Sequence, residues 1–209
     1  MRWLIALILT ATLARADGEA AGDFDYYVLA LSWSPGWCAR EGAARGSPQC
    51  DGARDLGWVL HGLWPQYEVG WPANCHTGAH DPSRAETRAM ADIMGTAGQA
   101  WYQWKKHGRC SGLSAQAYFE AARKAFAAVE RPAAFRRLTR PVRIPASVVE
   151  EAFLKANPDL TERMLTVTCK GLAIQEVRVC LTRDLKPRAC APDAARDCRL
   201  GAALMPAIR

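Results

Sequence analysis

The chain opens its folded part with an almost uncharged run, Phe24 to Trp33 (FDYYVLALSW), closed by Pro35. A run this short, apolar and aromatic reads as a central buried strand. Gly57 to His61 is a second short strand candidate, broken by Gly62 and Pro65. Residues 68–82 are rich in Gly, Pro and Asn and read as an ordered loop. Arg84 to Met94 reads as a helix that stops at Gly95. Ser114 to Glu130 is the clearest helix, with Ser114 as N-cap, Phe119, Ala122, Phe126 and Val129 at helical spacing, and Pro132 just beyond. Ser147 and Glu150 form a capping-box pattern that starts another helix, ended by Pro158. Met164 to Cys169 and Leu172 to Leu181 are strand-like, the second alternating in part through Leu172, Ile174, Val177 and Val179. Strands at both ends with helices between them predict an α+β fold, its central sheet mostly antiparallel and flanked by helices.

Length changes this picture little: 209 residues suit one domain. The N-terminus changes it more. Met1 to Leu9 pairs an early arginine with an apolar run, and Ala14-Arg15-Ala16 closes it in a small-x-small pattern. Residues 1–16 therefore read as a secretory signal and 17–209 as the mature domain. The run is short for a bilayer span. The expectation is a secreted or periplasmic protein with no membrane segment after cleavage, and a monomer. The formal charge of +6 becomes about +4 without Arg2 and Arg15, a mildly basic balance compatible with a polyanion.

All eight cysteines (Cys38, Cys50, Cys75, Cys110, Cys169, Cys180, Cys190 and Cys198) follow the cleavage point. An even count in an exported chain predicts four disulfides, and sequence alone permits many connectivities. No C-x-x-C pair occurs, so neither a metal nor any other cofactor is expected. His76 and His80 read as surface histidines of a polar loop.

The candidate chemistry sits in two short segments, Trp58 to Pro65 (WVLHGLWP) and Trp101 to Cys110 (WYQWKKHGRC). Each sets one histidine among tryptophans, and the second adds a lysine beside it. Two histidines supply a general base and a general acid, because imidazole exchanges protons near neutrality, and a cation steadies a negative phosphorus centre. Indole rings give bases a flat surface.

HGLWP at His61 to Pro65 and KHGRC at Lys106 to Cys110 resemble the two active-site segments of the ribonuclease T2 family. The likeness extends from Phe24 to Cys198. It implies a disulfide-stabilised α+β domain that cleaves single-stranded RNA without metal, through a 2′,3′-cyclic phosphate and with weak base preference. Carried over by position, it implies His107 as general base, His61 as general acid and Lys106 as the cation. Trp64, Trp58 and Tyr67 would form the nucleotide pocket. It also implies the pairs Cys38–Cys50, Cys75–Cys110, Cys169–Cys198 and Cys180–Cys190. The second segment usually reads His-Glu-Trp-x-Lys-His-Gly, and here Tyr102 and Gln103 replace its first two residues. They are candidates for holding phosphate or supporting the site. The rival expectation is a catalytically weak or inactive RNA-binding relative with the same fold. Trp104 is expected in the core.

Overall fold

The computed structural model describes residues 19–208. The predicted signal, residues 1–16, lies outside them. The strands are β1 (Tyr26–Trp33), β2 (Trp58–Gln66), β3 (Val142–Ile144), β4 (Leu165–Lys170), β5 (Ala173–Leu181) and β6 (Ala203–Met205). The helices are α1 (Ser34–Trp37), α2 (Arg84–Ala89), α3 (Ala91–Met94), α4 (Ala97–Lys106), α5 (Ala115–Ala128), α6 (Ala133–Arg136) and α7 (Ala146–Ala156). The domain is α+β, with one six-stranded sheet in the order β2-β1-β5-β6-β3 and β4 also paired to β5. Among the described strand pairs only β5–β6 is parallel, and an isolated parallel bridge joins Ala20 to His76.

β1 is central, as its composition requires. Tyr27, Leu29, Leu31 and Trp33 enter the main core, where helix residues such as Tyr118, Phe119, Ala122 and Phe153 meet them. Tyr26 and Val28 point to the other face and join Cys180 and Ala191 in a smaller apolar cluster. A cleft lined by Val28 opens on that second face.

β2 corrects the sequence reading. It runs straight through Gly62 and Pro65 to Gln66. Pro65 is tolerated because β2 is the edge of the sheet order, where a missing N–H breaks no ladder. The register slips at the histidine: Ala30 faces Gly62 while Leu31 faces Leu60, which leaves His61 as the extra residue of a β-bulge. Trp58 and Leu60 face the core before the bulge and Leu63 after it. The parity change is what one inserted residue produces.

Helix α5 is capped by the Ser114 hydroxyl, which accepts from Ala117 N, and it buries Phe119, Ala122 and Phe126. The region expected as one helix to Met94 divides at Met90 into α2 and α3, and Gly95 ends it at φ +82°. Its start is a capping box between Ser83 and Glu86. The capping box expected at Ser147 does not form: α7 begins two residues earlier, with Pro145 in place of Ser147 at the N-cap and no side-chain cap. Pro145 supplies the extended entry instead. Helix α4, which carries the second histidine segment, was not anticipated. Thr96 caps it at Gln99 N.

Candidate active site

Helix α4 lays residues at i, i+4 and i+7 against β2. Gln99 donates to the His61 carbonyl at 3.2 Å, and Gln103 Oε1 accepts from Trp64 Nε1 at 2.7 Å. Lys106 follows one turn on and lines the cleft with Tyr102, Gln103 and His107. His107 is the C-cap residue of α4, with φ −123° and ψ −42°. The next residue must be small. A Cβ on Gly108 would stand 2.6 Å from the Trp104 ring and 2.8 Å from Tyr118, so glycine lets the chain turn tightly against the core. Trp104 itself is fully buried and donates to Asp81 at 2.8 Å. Asp81 also takes Arg109 at 2.6 Å.

Sulfur ties the two segments together. Cys75–Cys110 joins the loop after β2 to the turn after His107, and the Asn74 N–H donates to the Lys106 carbonyl at 2.9 Å. The remaining bridges are Cys38–Cys50, Cys169–Cys198 and Cys180–Cys190.

His61 and His107 stand on the same indole. The His61 ring meets Trp64 edge-on with centroids 5.1 Å apart, and His107 stacks on Trp64 at 5.3 Å. Both imidazoles line a cleft of about 330 Å³. A second hollow of about 730 Å³ shares His61 and Tyr102 and extends toward Gln99 and Lys170. His107 is buried, and its Nδ1 meets no hydrogen-bond partner among the described residues. Burial first, then the Lys106 ammonium and the His61 ring, push its pKa down to about 3. It is therefore a neutral imidazole across mild acid and neutrality.

Two charged residues that the sequence reading passed over complete the site. Glu176 of β5 is 1% exposed, and its Oε1 meets His61 Nδ1. Its Oε2 accepts from Arg178 Nε at 2.9 Å and Nη2 at 2.7 Å. Burial opposes ionisation of Glu176, but the His61 hydrogen bond and the Arg178 guanidinium outweigh it and hold the carboxyl below its ordinary range. Arg178 also lies 5.3 Å over the Trp64 ring. The available signal is two charges at i and i+2 inside a strand whose remaining residues, Gln175 apart, are apolar.

The structure separates the three residues expected at the nucleotide: Trp64 lines the cleft, whereas Trp58 and Tyr67 do not. Trp58 lies in the core, edge-on to Phe135 and Phe153, and reaches no part of the cleft. It precedes the bulge and so keeps the parity that faces the helices. Tyr67 also packs on the core rather than lining the cleft. Trp71 is the exposed indole of the cleft: it is 57% exposed at the rim. Its loop is held by a 2.6 Å hydrogen bond from Gly70 N to Asp193, another cleft residue. Gln103 is buried against Trp64, whereas Tyr102 is half exposed with Lys106 Nζ 5.9 Å over its ring. Among the described residues, no cluster of three or more His, Cys, Asp or Glu is placed to hold a metal ion.

The fold and the cleft together define a disulfide-braced α+β domain in which two histidines and a lysine share one aromatic cleft. The ribonuclease T2 family model matches residues 24–190, and the chain belongs to that family. A ribonuclease of Aeromonas hydrophila is 45% identical over 112 residues, which cover 54% of this chain and 49% of that protein. A probable ribonuclease of Haemophilus influenzae is 35% identical over 131 residues, covering 54% and 46%. The chain thus spans about half the length of these curated relatives. An RNase-related protein from Calystegia sepium has the same fold, with a TM-score of 0.70 over 89% of this chain and 98% of that one at 20% identity. RNase NT in complex with 5′-AMP matches with a TM-score of 0.60 over 80% and 95%, at 22% identity.

Proposed function

We propose that this protein is an endoribonuclease that cleaves single-stranded RNA without a metal, by transesterification to a 2′,3′-cyclic phosphate. The observation that carries this reading is the pair of imidazoles, His61 and His107, on one indole in one cleft. His107, neutral because it is buried, takes the proton of the ribose 2′-hydroxyl. The 2′-oxygen forms its bond to phosphorus as the bond to the 5′-oxygen breaks. His61 delivers a proton to that leaving oxygen. Lys106, beside His107, stabilises the charge that builds on the non-bridging oxygens, and Tyr102 offers its hydroxyl to the phosphate. Trp64 and Trp71 supply stacking surfaces, which accept any base and favour weak base preference. The hollows on the two sides of His61 offer room for the nucleotides flanking the cleaved bond.

The export pattern at residues 1–16 supports a secreted or periplasmic location. No helix among the described residues is long and apolar enough to cross a membrane.

The test is cleavage of the dinucleotide CpA by the mature protein with excess EDTA, from mildly acid to neutral pH. A 2′,3′-cyclic product that disappears in both His61→Ala and His107→Ala is the expected result. Folded, oxidised protein that yields no cyclic product at any pH would overturn the reading. RNA binding without cleavage would then favour the inactive relative.

A further inference from the structure

The reaction above uses one nitrogen of His61 and gives no task to the acid behind the ring. Burying a carboxylate is costly unless its partners are fixed. Glu176 has both oxygens engaged, one by His61 and one by the fork of Arg178. The sheet builds this meeting across a whole strand. Ser32 of β1 pairs with Glu176 and Ala30 with Arg178, while on the other side Ala30 pairs with Gly62. Two small residues on β1 leave the gap that the imidazole and the carboxylate cross. Both strands that flank β1 carry a bulge here: β2 at His61, and β5 at Gln175, the residue left out between the pairs Thr168–Glu176 and Cys169–Ile174. Bulges re-aim side chains next to working sites.

We propose that Glu176 is a positioning residue for His61. It holds the ring as the Nδ1–H form, so that Nε2 alone exchanges protons in the cleft, and Arg178 keeps the carboxylate ionised and in place. The role in catalysis rests on the ribonuclease reading; the tautomer does not, because it belongs to the resting protein. When His61 gives its Nε2 proton to the leaving oxygen, it returns to the neutral Nδ1–H ring already bonded to Glu176. No rotation or tautomer exchange is needed between the protonated and neutral states.

The decisive measurement is long-range proton–nitrogen NMR of uniformly ¹⁵N-labelled protein above neutral pH. The chain has four histidines, and His61→Ala assigns the signal. His61 Nδ1 is expected protonated and Nε2 bare. The opposite tautomer, with Nε2 protonated, overturns the assignment. The kinetic arm is Glu176→Gln beside Glu176→Asp, with activity counted per folded molecule. Glu176→Gln is expected to lower kcat on the order of 10²-fold with KM little changed, and Glu176→Asp to restore part of it. A folded Glu176→Gln enzyme at full kcat overturns the catalytic role. If the wild-type protein cleaves no RNA, the ribonuclease reading fails, and the wild-type NMR spectrum still decides whether Glu176 sets the ring.

Discussion

Gln103 shows how a departure from the family pattern is accommodated. Its side chain is 1% exposed and spends its carbonyl on Trp64 rather than on the cleft. That bond fixes the plane on which both histidines stand. Gln103→Leu removes the acceptor and strands the Trp64 N–H, so base binding should weaken through KM, with a stability loss of about 1–3 kcal/mol. Gln103→Glu keeps an acceptor there and should retain the indole's position. Steady-state kinetics on CpA and urea denaturation of the two variants check both statements, and a Gln103→Leu enzyme with unchanged KM would contradict the first. Gly62 is bound to the same contact. A Cβ at this position would lie 2.2 Å from both Gln103 Oε1 and Trp64 Nε1. Gly62→Ala should therefore force the pair apart, costing about 1–3 kcal/mol of stability by overpacking and depressing cleavage with it. Normal urea midpoints and normal rates for Gly62→Ala would show that the contact has slack.

Among elements, the strand–helix pair β2 and α4 is held at its far end by Cys75–Cys110, which closes 35 residues, against 12 for Cys38–Cys50. Loop-closure entropy makes the longer link worth about 1 kcal/mol more in the unfolded chain. Losing the longer link should cost about 2–4 kcal/mol. Because this link also sets the turn after His107, Cys75→Ala/Cys110→Ala should lose far more activity than Cys38→Ala/Cys50→Ala at a temperature where both are folded. Equal residual rates would mean that packing around Gly108 alone holds the turn. The same elements show what a one-dimensional pattern conveys. Ser114, the apolar spacing behind it and the uncharged run of β1 are local signals, and they placed α5 and β1. The two histidines and Lys106 were legible because motif residues are contiguous. The continuation of β2 was not, since Gly62 and Pro65 break a strand unless it is an edge strand with a bulge, and edge position is a property of the sheet. Glu176 was hidden for a related reason: the bulge at Gln175 shifts the alternation of β5, and its partner lies 115 residues away. That Trp58 faces the core and Trp64 the cleft is equally hidden, because a motif does not reveal that parity reverses between them.

For the molecule as a whole, the buried His107 couples stability to pH. The formal charge is already +6 with histidines neutral, so acid adds repulsion to any specific cost. The specific cost is set by His107, whose pKa is pushed down to about 3 chiefly by burial. Between that value and about 6.5, the unfolded chain binds a proton that the folded one refuses. Stability therefore rises with pH through this window and is complete above it. Glu176 acts in the same sense further down, because its carboxyl is held below the ordinary range: its contribution is present above about pH 4.5 and fades as the pH falls through the folded value. Lowering the pH from 7 to 5 should thus cost about 2 kcal/mol through His107 alone. His107→Asn, with no proton to take up, should lose correspondingly less between the same two pH values. Urea unfolding of both proteins at pH 7 and pH 5 measures the difference. Parallel losses in the two proteins would place His107 at an ordinary pKa, and with it would go the argument that burial keeps the base unprotonated in mild acid.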